Sequence, residues 1–317
     1  MNPAATNRRI TRLGQTDLYV SRICQGTAFR RNRRDPDDAN GQLVLQRCID
    51  IGINFFDSSN AYGWGGSELA LGRAIQGRRS QVVICSKIHP ALNPEGTEAP
   101  KRVAFTREFA YRELEASLKR LGTDYIDLYL LHNPDGVTPP EEVAATMDAL
   151  VNSGMVRYWG VSNHQAEHVA KFVKLGAASS AASRISAVQN HYNIIGRELE
   201  NEMFPLLRQS GLALLPYSPM DEGRLVRPSV EQNAATTALL AEVDRLGRTL
   251  GATRPQVLLA WVLSHPEATC VLAGAERPEQ VDENYHALDI ELTSEVISRM
   301  NIASDLMINR LKPAESS

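Results

Sequence analysis

Four polar residues stand at, or just after, the ends of short apolar segments in the first half of the chain. Asp57 closes INFFD, Tyr62 follows five residues later, Lys87 closes VVICSK and His132 closes IDLYLLH. If these segments are neighbouring parallel strands of a closed sheet, their carboxyl ends surround one opening. A carboxylate, a phenol, an ammonium and an imidazole gathered there predict a site that moves protons.

Tyr62 is the candidate proton donor of this set. An ordinary tyrosine, with a pKa near ~10, is a weak acid at neutral pH, and acidifying it by about three units takes roughly 4 kcal/mol. A Lys87 ammonium about 4 Å away supplies roughly that energy at an effective dielectric near 20. We therefore expect Lys87 to lower the pKa of Tyr62 and Asp57 to hold Lys87 charged and in place. His132 is expected to donate to, or orient, a substrate oxygen that gains negative charge.

Strand-length apolar runs alternate with longer amphipathic stretches from about residue 22 to residue 288, which is typical of repeated βα units. Eight strands are predicted: Ile23–Gly26, Ile53–Asp57, Val82–Lys87, Ile126–His132, Val156–Ser162, Ala187–Gln189, Leu212–Tyr217 and Cys270–Gly274. Parallel strands with helical crossovers form a barrel or an open doubly wound sheet. A dinucleotide-binding open sheet carries GxGxxG after its first strand, whereas this turn reads GTAFRRNRRD. The sequence favours an α/β fold, a (β/α)8 TIM barrel.

Helix boundaries follow from capping residues. Thr106–Leu121 and Asn233–Leu250 each begin with a capping side chain and are followed by glycine. In Thr138-Pro139-Pro140-Glu141, we expect Thr138 to cap a helix, Pro139 to occupy its first position and Glu141 to complete a capping box.

The segment Arg8–Ser21 is predicted to form an N-terminal β-hairpin that plugs the bottom of the barrel. The predicted organisation is therefore a flexible N-terminal tail over residues 1–7, one barrel over residues 8–303 and a C-terminal tail over residues 304–317.

Composition argues against several classes of partner. A net charge of -3 over 317 residues produces no long-range field that attracts nucleic acid or an anionic membrane. No apolar run reaches the ~18 residues of a membrane span, and the first ten residues lack a secretion signal, so we expect a cytoplasmic protein. The four cysteines form no CxxC pair, which predicts no metal site, and Cys85 and Cys270 are predicted to be core residues. The oligomeric state is left open.

Three segments, NFFDSSNAYGWGGSELALG, VVICSK and YIDLYLLH, resemble the signature segments of the aldo-keto reductase family. The resemblance extends from GT at 26–27 through GVSNH, VQNHYN and LPYSPM to GAERPEQVDEN. In that family the positions of Asp57, Tyr62, Lys87 and His132 form the catalytic tetrad. The resemblance implies an oxidoreductase that transfers a hydride between a nicotinamide cofactor and a small carbonyl or alcohol substrate (an aldehyde, ketone or sugar), with Tyr62 as general acid/base.

The resemblance also places the cofactor, mainly in the loops after the seventh and eighth strands. It implies that Tyr217 stacks on the nicotinamide, that Ser162, Asn163 and Gln189 hold its carboxamide, and that the positions from Gln280 onward contact adenosine. The full predicted set is Gly26, Thr27, Asp57, Ser162, Asn163, Gln189, Tyr217, Ser218, Pro219, Met220, Gly223, Leu225, Gly274, Glu276, Arg277, Gln280, Glu283 and Asn284.

Two adjacent residues of opposite charge make the cofactor preference ambivalent. A carboxylate such as Glu276 favours free ribose hydroxyls, whereas an arginine such as Arg277 favours a 2′-phosphate. We expect NADP(H), because the usual cofactor of the family and Arg277 together outweigh Glu276, and NAD(H) stays open.

Phe29, Trp64, His89 and Asn133 are predicted to line the substrate site, because they follow the first four strands. They do not name a substrate. One alternative is a cofactor-sensing regulatory or binding subunit with little turnover, since some relatives in the superfamily are channel subunits. A barrel of another chemistry, such as metal-assisted hydrolysis, is disfavoured because no His/Asp spacing resembles a metal triad.

Overall fold

The computed structural model describes residues 8–28, 38–90, 103–176, 184–227 and 233–311. The strands are β1 (Ile10–Arg12), β2 (Tyr19–Ser21), β3 (Ile23–Gly26), β4 (Phe55–Asp57), β5 (Val83–Ile88), β6 (Ile126–Leu131), β7 (Val156–Ser162), β8 (Ile185–Gln189), β9 (Ala213–Leu214) and β10 (Val271–Gly274). The helices are α1 (Ala39–Asp50), α2 (Gly66–Ala74), α3 (Arg107–Leu121), α4 (Pro140–Asn152), α5 (Ala166–Gly176), α6 (Met203–Ser210), α7 (Ala234–Leu250), α8 (Arg254–Leu263), α9 (Pro278–His286) and α10 (Ser294–Leu311).

Eight parallel strands form the central sheet, in the spatial order β10-β3-β4-β5-β6-β7-β8-β9. Its two ends are joined by a parallel bridge between Leu214 and Ala268 and by a hydrogen bond of 2.9 Å from Leu272 N to Pro216 O. Apolar side chains fill both the interior of the barrel and the space between the strands and the helices. The predicted (β/α)8 barrel is confirmed.

The N-terminal hairpin closes the amino end of the barrel. β1 and β2 pair antiparallel, with Ile10 opposite Ser21. Gly14 lies at the turn with φ +52°, and a Cβ there would meet Ala213 N at 3.0 Å and Ser186 O at 3.1 Å. Only glycine allows this close approach, so the turn seats directly on the starts of β8 and β9. The predicted hairpin is confirmed.

Two of the three predicted helix starts hold, and one is wrong. Thr106 and Asn233 accept hydrogen bonds from the first amides of α3 and α7, as expected. At α4 the N-cap is Pro139, without a side-chain cap, and no capping box with Glu141 forms. The Thr138 hydroxyl instead donates to Asp135. This carboxylate is buried, so its need for hydrogen bonds outweighs a cap that water can replace.

Some predicted boundaries shift. The seventh strand, predicted over Leu212–Tyr217, is only Ala213–Leu214, consistent with the absence of an N–H at Pro216. The barrel was predicted to end at residue 303, yet α10 continues to Leu311, and Ser304 and Met307 are buried against the domain. Residues 304–311 are therefore helical rather than part of a tail. Residues 1–7 and 312–317 lie outside the described residues.

All four cysteines are buried, and Cys85 and Cys270 belong to the apolar cluster inside the barrel, as predicted. Within the described ranges, the helices are all too short or too polar to span a bilayer.

Candidate active site

Lys87 and Asp57 form a buried ion pair at the carboxyl ends of adjacent strands. The Nζ atom of Lys87 lies 2.6 Å from Asp57 Oδ1, and both side chains are almost fully buried. The ammonium also donates to Ser58 O at 2.9 Å and to Tyr62 Oη at 3.1 Å, so all three of its hydrogens have acceptors. Burial is the largest single effect on Lys87 and by itself lowers its pKa, but its interactions with neighbouring groups, chiefly with the Asp57 carboxylate, together outweigh burial and raise that pKa above the ordinary value. Lys87 therefore stays charged.

The second carboxylate oxygen of Asp57 accepts a hydrogen bond of 2.7 Å from Gln189 Nε2. With one oxygen held by Lys87 and the other by Gln189, the carboxylate cannot rotate without losing a strong bond. The fixed Asp57 carboxylate in turn holds the Lys87 ammonium in position.

Tyr62 is aimed at the barrel mouth by a turn. It begins a short 3-10 segment, Tyr62–Gly65, in which Gly63, Trp64 and Gly65 have φ values of 57°, 55° and 90°. Such backbone angles favour glycine, and two of the three positions are glycine. Because Tyr62 Oη accepts from Lys87, its own hydrogen is left for another acceptor.

The expected acidification of Tyr62 is not what the structure gives. Removal of the phenol from water raises its pKa above the ordinary value, and the nearby Lys87 ammonium, which lowers it, offsets only part of that effect. The prediction weighed the lysine and omitted burial, which disfavours the phenolate. Tyr62 therefore holds its proton at neutral pH.

His132 lies directly after β6, with its ring edge-on to Tyr62 at a centroid distance of 5.6 Å. Burial, followed by the charges of Lys87 and His89, lowers its pKa to about 2. Its imidazole is therefore neutral. The backbone is fixed on both sides, since His132 N donates to Ile88 O at 2.9 Å and His132 O accepts from Asn163 Nδ2 at 2.8 Å.

Asn163 connects three strand ends. Its backbone adopts φ +61°, its N–H donates to Gln189 O at 3.1 Å and its Oδ1 accepts from Tyr217 Oη at 2.7 Å. The short polar side chain of asparagine tolerates this left-handed conformation. Asn163 thus holds the Tyr217 ring beside the mouth of the barrel.

A cavity of about 620 Å³ opens beside these residues. Tyr62, His132 and Asp57 line it, while Lys87 lies behind them. Its remaining lining residues are Gly26, Ala28, Ser162, Asn163, Gln189, Tyr217, Ser218, Pro219, Met220, Glu222, Gly223, Val226, Arg227, Pro255, Leu272, Gly274, Ala275, Glu276, Gln280, Glu283 and Asn284.

Most of the residues predicted to bind the cofactor line this cavity; Thr27, Leu225 and Arg277 do not. Thr27 is buried, with its hydroxyl donating to Asp57 O at 3.0 Å, and Leu225 is a core residue. Arg277 is 60 % exposed and its closest described carboxylate is that of Glu279, 3.9 Å away.

Seven lining residues are absent from the predicted set, although the loop 221–227, which contains three of them, was expected to close one side of the substrate site. The only feature of the sequence that could have indicated Glu222 is its position in the loop after the seventh strand, where the cofactor was expected. Pro255 lies in α8, for which the sequence indicated no function. The full missed set is Ala28, Glu222, Val226, Arg227, Pro255, Leu272 and Ala275.

Two glycines at the carboxyl ends of the adjacent strands β3 and β10 leave open space in the cavity. Gly26 and Gly274 are directly opposite each other on β3 and β10, and a Cβ at either position would meet nothing within 4 Å. Side chains at these two positions would fill that space, and the polar side chains of Ser162, Asn163 and Gln189 line the same cavity. A cavity of this volume with polar lining residues fits a hydrogen-bonding ligand such as a dinucleotide.

Of the four residues predicted to line the substrate site, the structure brings one, His89, next to the tetrad. His89 lies beside the tetrad, with its ring edge-on to His132 at 5.2 Å. Trp64 is 39 % exposed, and none of His89, Trp64 and Asn133 lines the 620 Å³ cavity. Phe29 lies outside the described residues.

A model of the aldo/keto reductase family matches residues 22–305. The chain therefore belongs to the aldo/keto reductase family, and the resemblance stated from its motifs is confirmed.

Relatives cover nearly the whole chain. An uncharacterised oxidoreductase of Bacillus subtilis is 33% identical, over 92% of this chain and 94% of its own. A probable voltage-gated potassium channel subunit beta of Oryza sativa is 32% identical (91% and 94%). The NADH-specific methylglyoxal reductase of Escherichia coli is 31% identical (89% and 94%).

Solved structures of aldo-keto reductases have a similar fold. The chain is similar to an aldo/keto reductase of Klebsiella pneumoniae in complex with NADP and acetate, with a TM-score of 0.74, 29% identity and coverage of 93% of this chain and 94% of the other. A thermostable aldo-keto reductase bound to the inhibitor epalrestat has a TM-score of 0.78 at 28% identity, covering 93% and 99%.

Proposed function

We propose that this chain catalyses the nicotinamide-dependent reduction of small aldehydes or ketones, and the reverse oxidation of alcohols, with Tyr62 as general acid/base. The observation that carries the proposal is the hydrogen bond of 3.1 Å from the buried Lys87 ammonium to Tyr62 Oη at the cavity wall. It leaves the phenolic hydrogen free to donate to a substrate oxygen.

A bound nicotinamide cofactor would supply the hydride. The residues of this chain stabilise and protonate the substrate oxygen, which becomes negative when the carbonyl is reduced. Tyr62 gives that oxygen a proton, and His132, neutral and facing the same cavity, donates a hydrogen bond that orients it. An alkoxide is a much stronger base than a phenolate, so a Tyr62 whose pKa is raised is still acidic enough to protonate it. Lys87 stabilises the phenolate that remains.

Ser162, Asn163 and Gln189 would hold the carboxamide of the cofactor, and Tyr217, fixed by Asn163, would stack on its ring. Gly26 and Gly274 leave room for the chain of the dinucleotide.

For the cofactor preference, we propose NAD(H), in contrast to the NADP(H) expected from the sequence. Glu276 lines the cavity, whereas Arg277 does not line it and has 60 % of its side chain exposed. Glu222 and Glu283 line the cavity as well, so its described lining holds three glutamates and one arginine, Arg227. Negative charge there repels a 2′-phosphate and suits free ribose hydroxyls.

A second candidate is a regulatory subunit that binds the cofactor but turns over slowly. The similarity to a probable potassium channel subunit beta supports it. One experiment separates the two: steady-state assay of the purified chain with a panel of aldehydes, ketones and alcohols and with each cofactor. Turnover that Tyr62→Phe abolishes supports the reductase, whereas cofactor binding without turnover on every substrate supports the subunit.

A further inference from the structure

Ser59, which has no role in the predictions made from the sequence, contacts the ring of His132 through its Nδ1 atom. It follows β4 by two residues and is fully buried. Its Oγ lies 3.1 Å from His132 Nδ1, and the backbone N–H of Ala61 donates to the same Oγ at 3.2 Å.

The hydrogen-bond inventory of Ser59 decides the direction of the contact. A serine hydroxyl has one hydrogen to donate and two lone pairs to accept with. Ala61 N–H takes a lone pair, so the hydrogen remains for an acceptor. The candidates are His132 Nδ1 at 3.1 Å and Asn60 Oδ1 at 3.5 Å, and the latter already accepts from His89 N at 3.2 Å. The shorter contact to Nδ1 is the better hydrogen bond.

The tautomer of His132 follows from this donor. A neutral imidazole carries one proton, and a ring whose Nδ1 accepts must carry it on Nε2. The lowered pKa of His132 keeps the ring neutral. Among the described residues, Nε2 has no hydrogen-bond partner, and His132 lines the cavity. The Nε2–H group is therefore available to a ligand.

We propose that Ser59 is a positioning residue: its hydroxyl holds His132 as the Nε2–H tautomer, so that His132 can donate to the carbonyl oxygen that Tyr62 protonates. The role of this donor in turnover rests on the proposed function. The tautomer itself does not, because it is set by contacts within the protein.

The test combines a spectrum with kinetics. In the full-length chain labelled with ¹⁵N-histidine, with the His132→Gln spectrum used for assignment, we expect His132 Nδ1 to have the chemical shift of an unprotonated nitrogen and Nε2 that of a protonated one. In Ser59→Ala the two shifts move toward each other. In the same variant we expect kcat to fall about tenfold and the Kd of the cofactor to stay unchanged. The reason is that His132 would carry its proton on Nε2 in only part of the molecules and would stabilise the transition state less.

Two variants separate this role from a structural one. Ser59→Thr keeps the hydroxyl and should restore both the shifts and kcat. Ser186→Ala removes a buried hydroxyl that donates to Arg184 O near the opposite end of the barrel, and should change neither. A proton on Nδ1 in the wild type, or an unchanged kcat in Ser59→Ala, overturns the proposal. A wild-type chain without turnover overturns the reductase function alone, since the spectrum still reports the tautomer.

Discussion

The Nζ atom of Lys87 donates to Tyr62 Oη at 3.1 Å, yet the pKa of this tyrosine lies above its ordinary value. Burial and the lysine act in opposite directions, and burial is the larger effect. The lysine therefore prevents a still larger rise and gives the phenolate, once formed, a nearby positive charge. At neutral pH Tyr62 is therefore protonated and can donate its proton. It can accept a proton only after it has been deprotonated, which alkaline pH favours.

Tyr62→Phe tests the proton donor directly. The substitution removes one oxygen and leaves the ring that packs against His132. We expect kcat for carbonyl reduction to fall at least about 100-fold, the usual contribution of a general acid. The Kd of the cofactor, measured by fluorescence titration, should stay within twofold. Retained turnover would exclude Tyr62 as the acid.

The pH dependence should differ between the two directions. Reduction needs protonated Tyr62, whose pKa is raised, so its kcat should be constant through neutral pH and fall only above the ordinary tyrosine value near ~10. Oxidation needs the deprotonated form, so its kcat should rise with pH over the whole neutral range. Because the pKa of His132 is lowered to about 2, this histidine adds no acidic limb between pH 5 and 8. A reduction profile with a midpoint near pH 6 or 7 would contradict both assignments.

Lys87→Met should be strongly destabilising, because it leaves the Asp57 carboxylate buried without its cation. Breaking a buried pair by removing one partner costs about 3–5 kcal/mol of unfolding free energy. The double variant Asp57→Leu/Lys87→Met, which removes both charges, should recover much of that loss. Urea unfolding measures both. If the double variant is no more stable than Lys87→Met, the uncompensated charge is not the cause.

Gly274→Val tests whether the cofactor occupies the open space in the cavity at Gly26 and Gly274. A Cβ at Gly274 meets nothing within 4 Å, so the unfolding free energy should change by less than about 1 kcal/mol. The Kd of the cofactor should rise at least about tenfold, equivalent to ~1.4 kcal/mol, because the new side chain occupies the space proposed for the dinucleotide.

Gly160→Ala is the matched control for that variant. A Cβ at Gly160 would lie 2.3 Å from Ala187 O, so this small change should lower stability. The cofactor Kd of the folded protein should be unaffected, because Gly160 does not line the cavity. Unaltered cofactor affinity in Gly274→Val would show that the cofactor does not occupy the space at the carboxyl ends of β3 and β10.

Glu276→Gln tests the cofactor preference. We expect the wild type to have the higher kcat/KM with NADH. Removing the Glu276 carboxylate from the cavity wall should raise kcat/KM with NADPH about tenfold relative to NADH, a change of ~1.4 kcal/mol. Glu279→Gln, on an exposed carboxylate outside the cavity, is the control. A wild type that prefers NADPH would contradict the role given to Glu276.

Much of the fold could be predicted, because its signals are local in the chain. The apolar runs gave all eight barrel strands to within a few residues, and Thr106, Asn233 and the glycines that follow marked helix ends. The capping box at Thr138 failed because Asp135 competes for the hydroxyl, and the end of α10 was missed because the burial of Met307 depends on distant residues.

The sequence by itself determined which chemical groups the chain carries and the order of the strands that present them, because strand and helix periodicity and the motif residues are properties of neighbouring positions. Only the tertiary structure decided that Ser59 contacts a histidine 73 positions away, that Gly26 is paired with Gly274 and that Glu276 lines the cavity while Arg277 does not. It also decided the direction of the Tyr62 pKa shift. Burial and the distances between remote residues arise only when the barrel closes, and they set the electrostatics of the site.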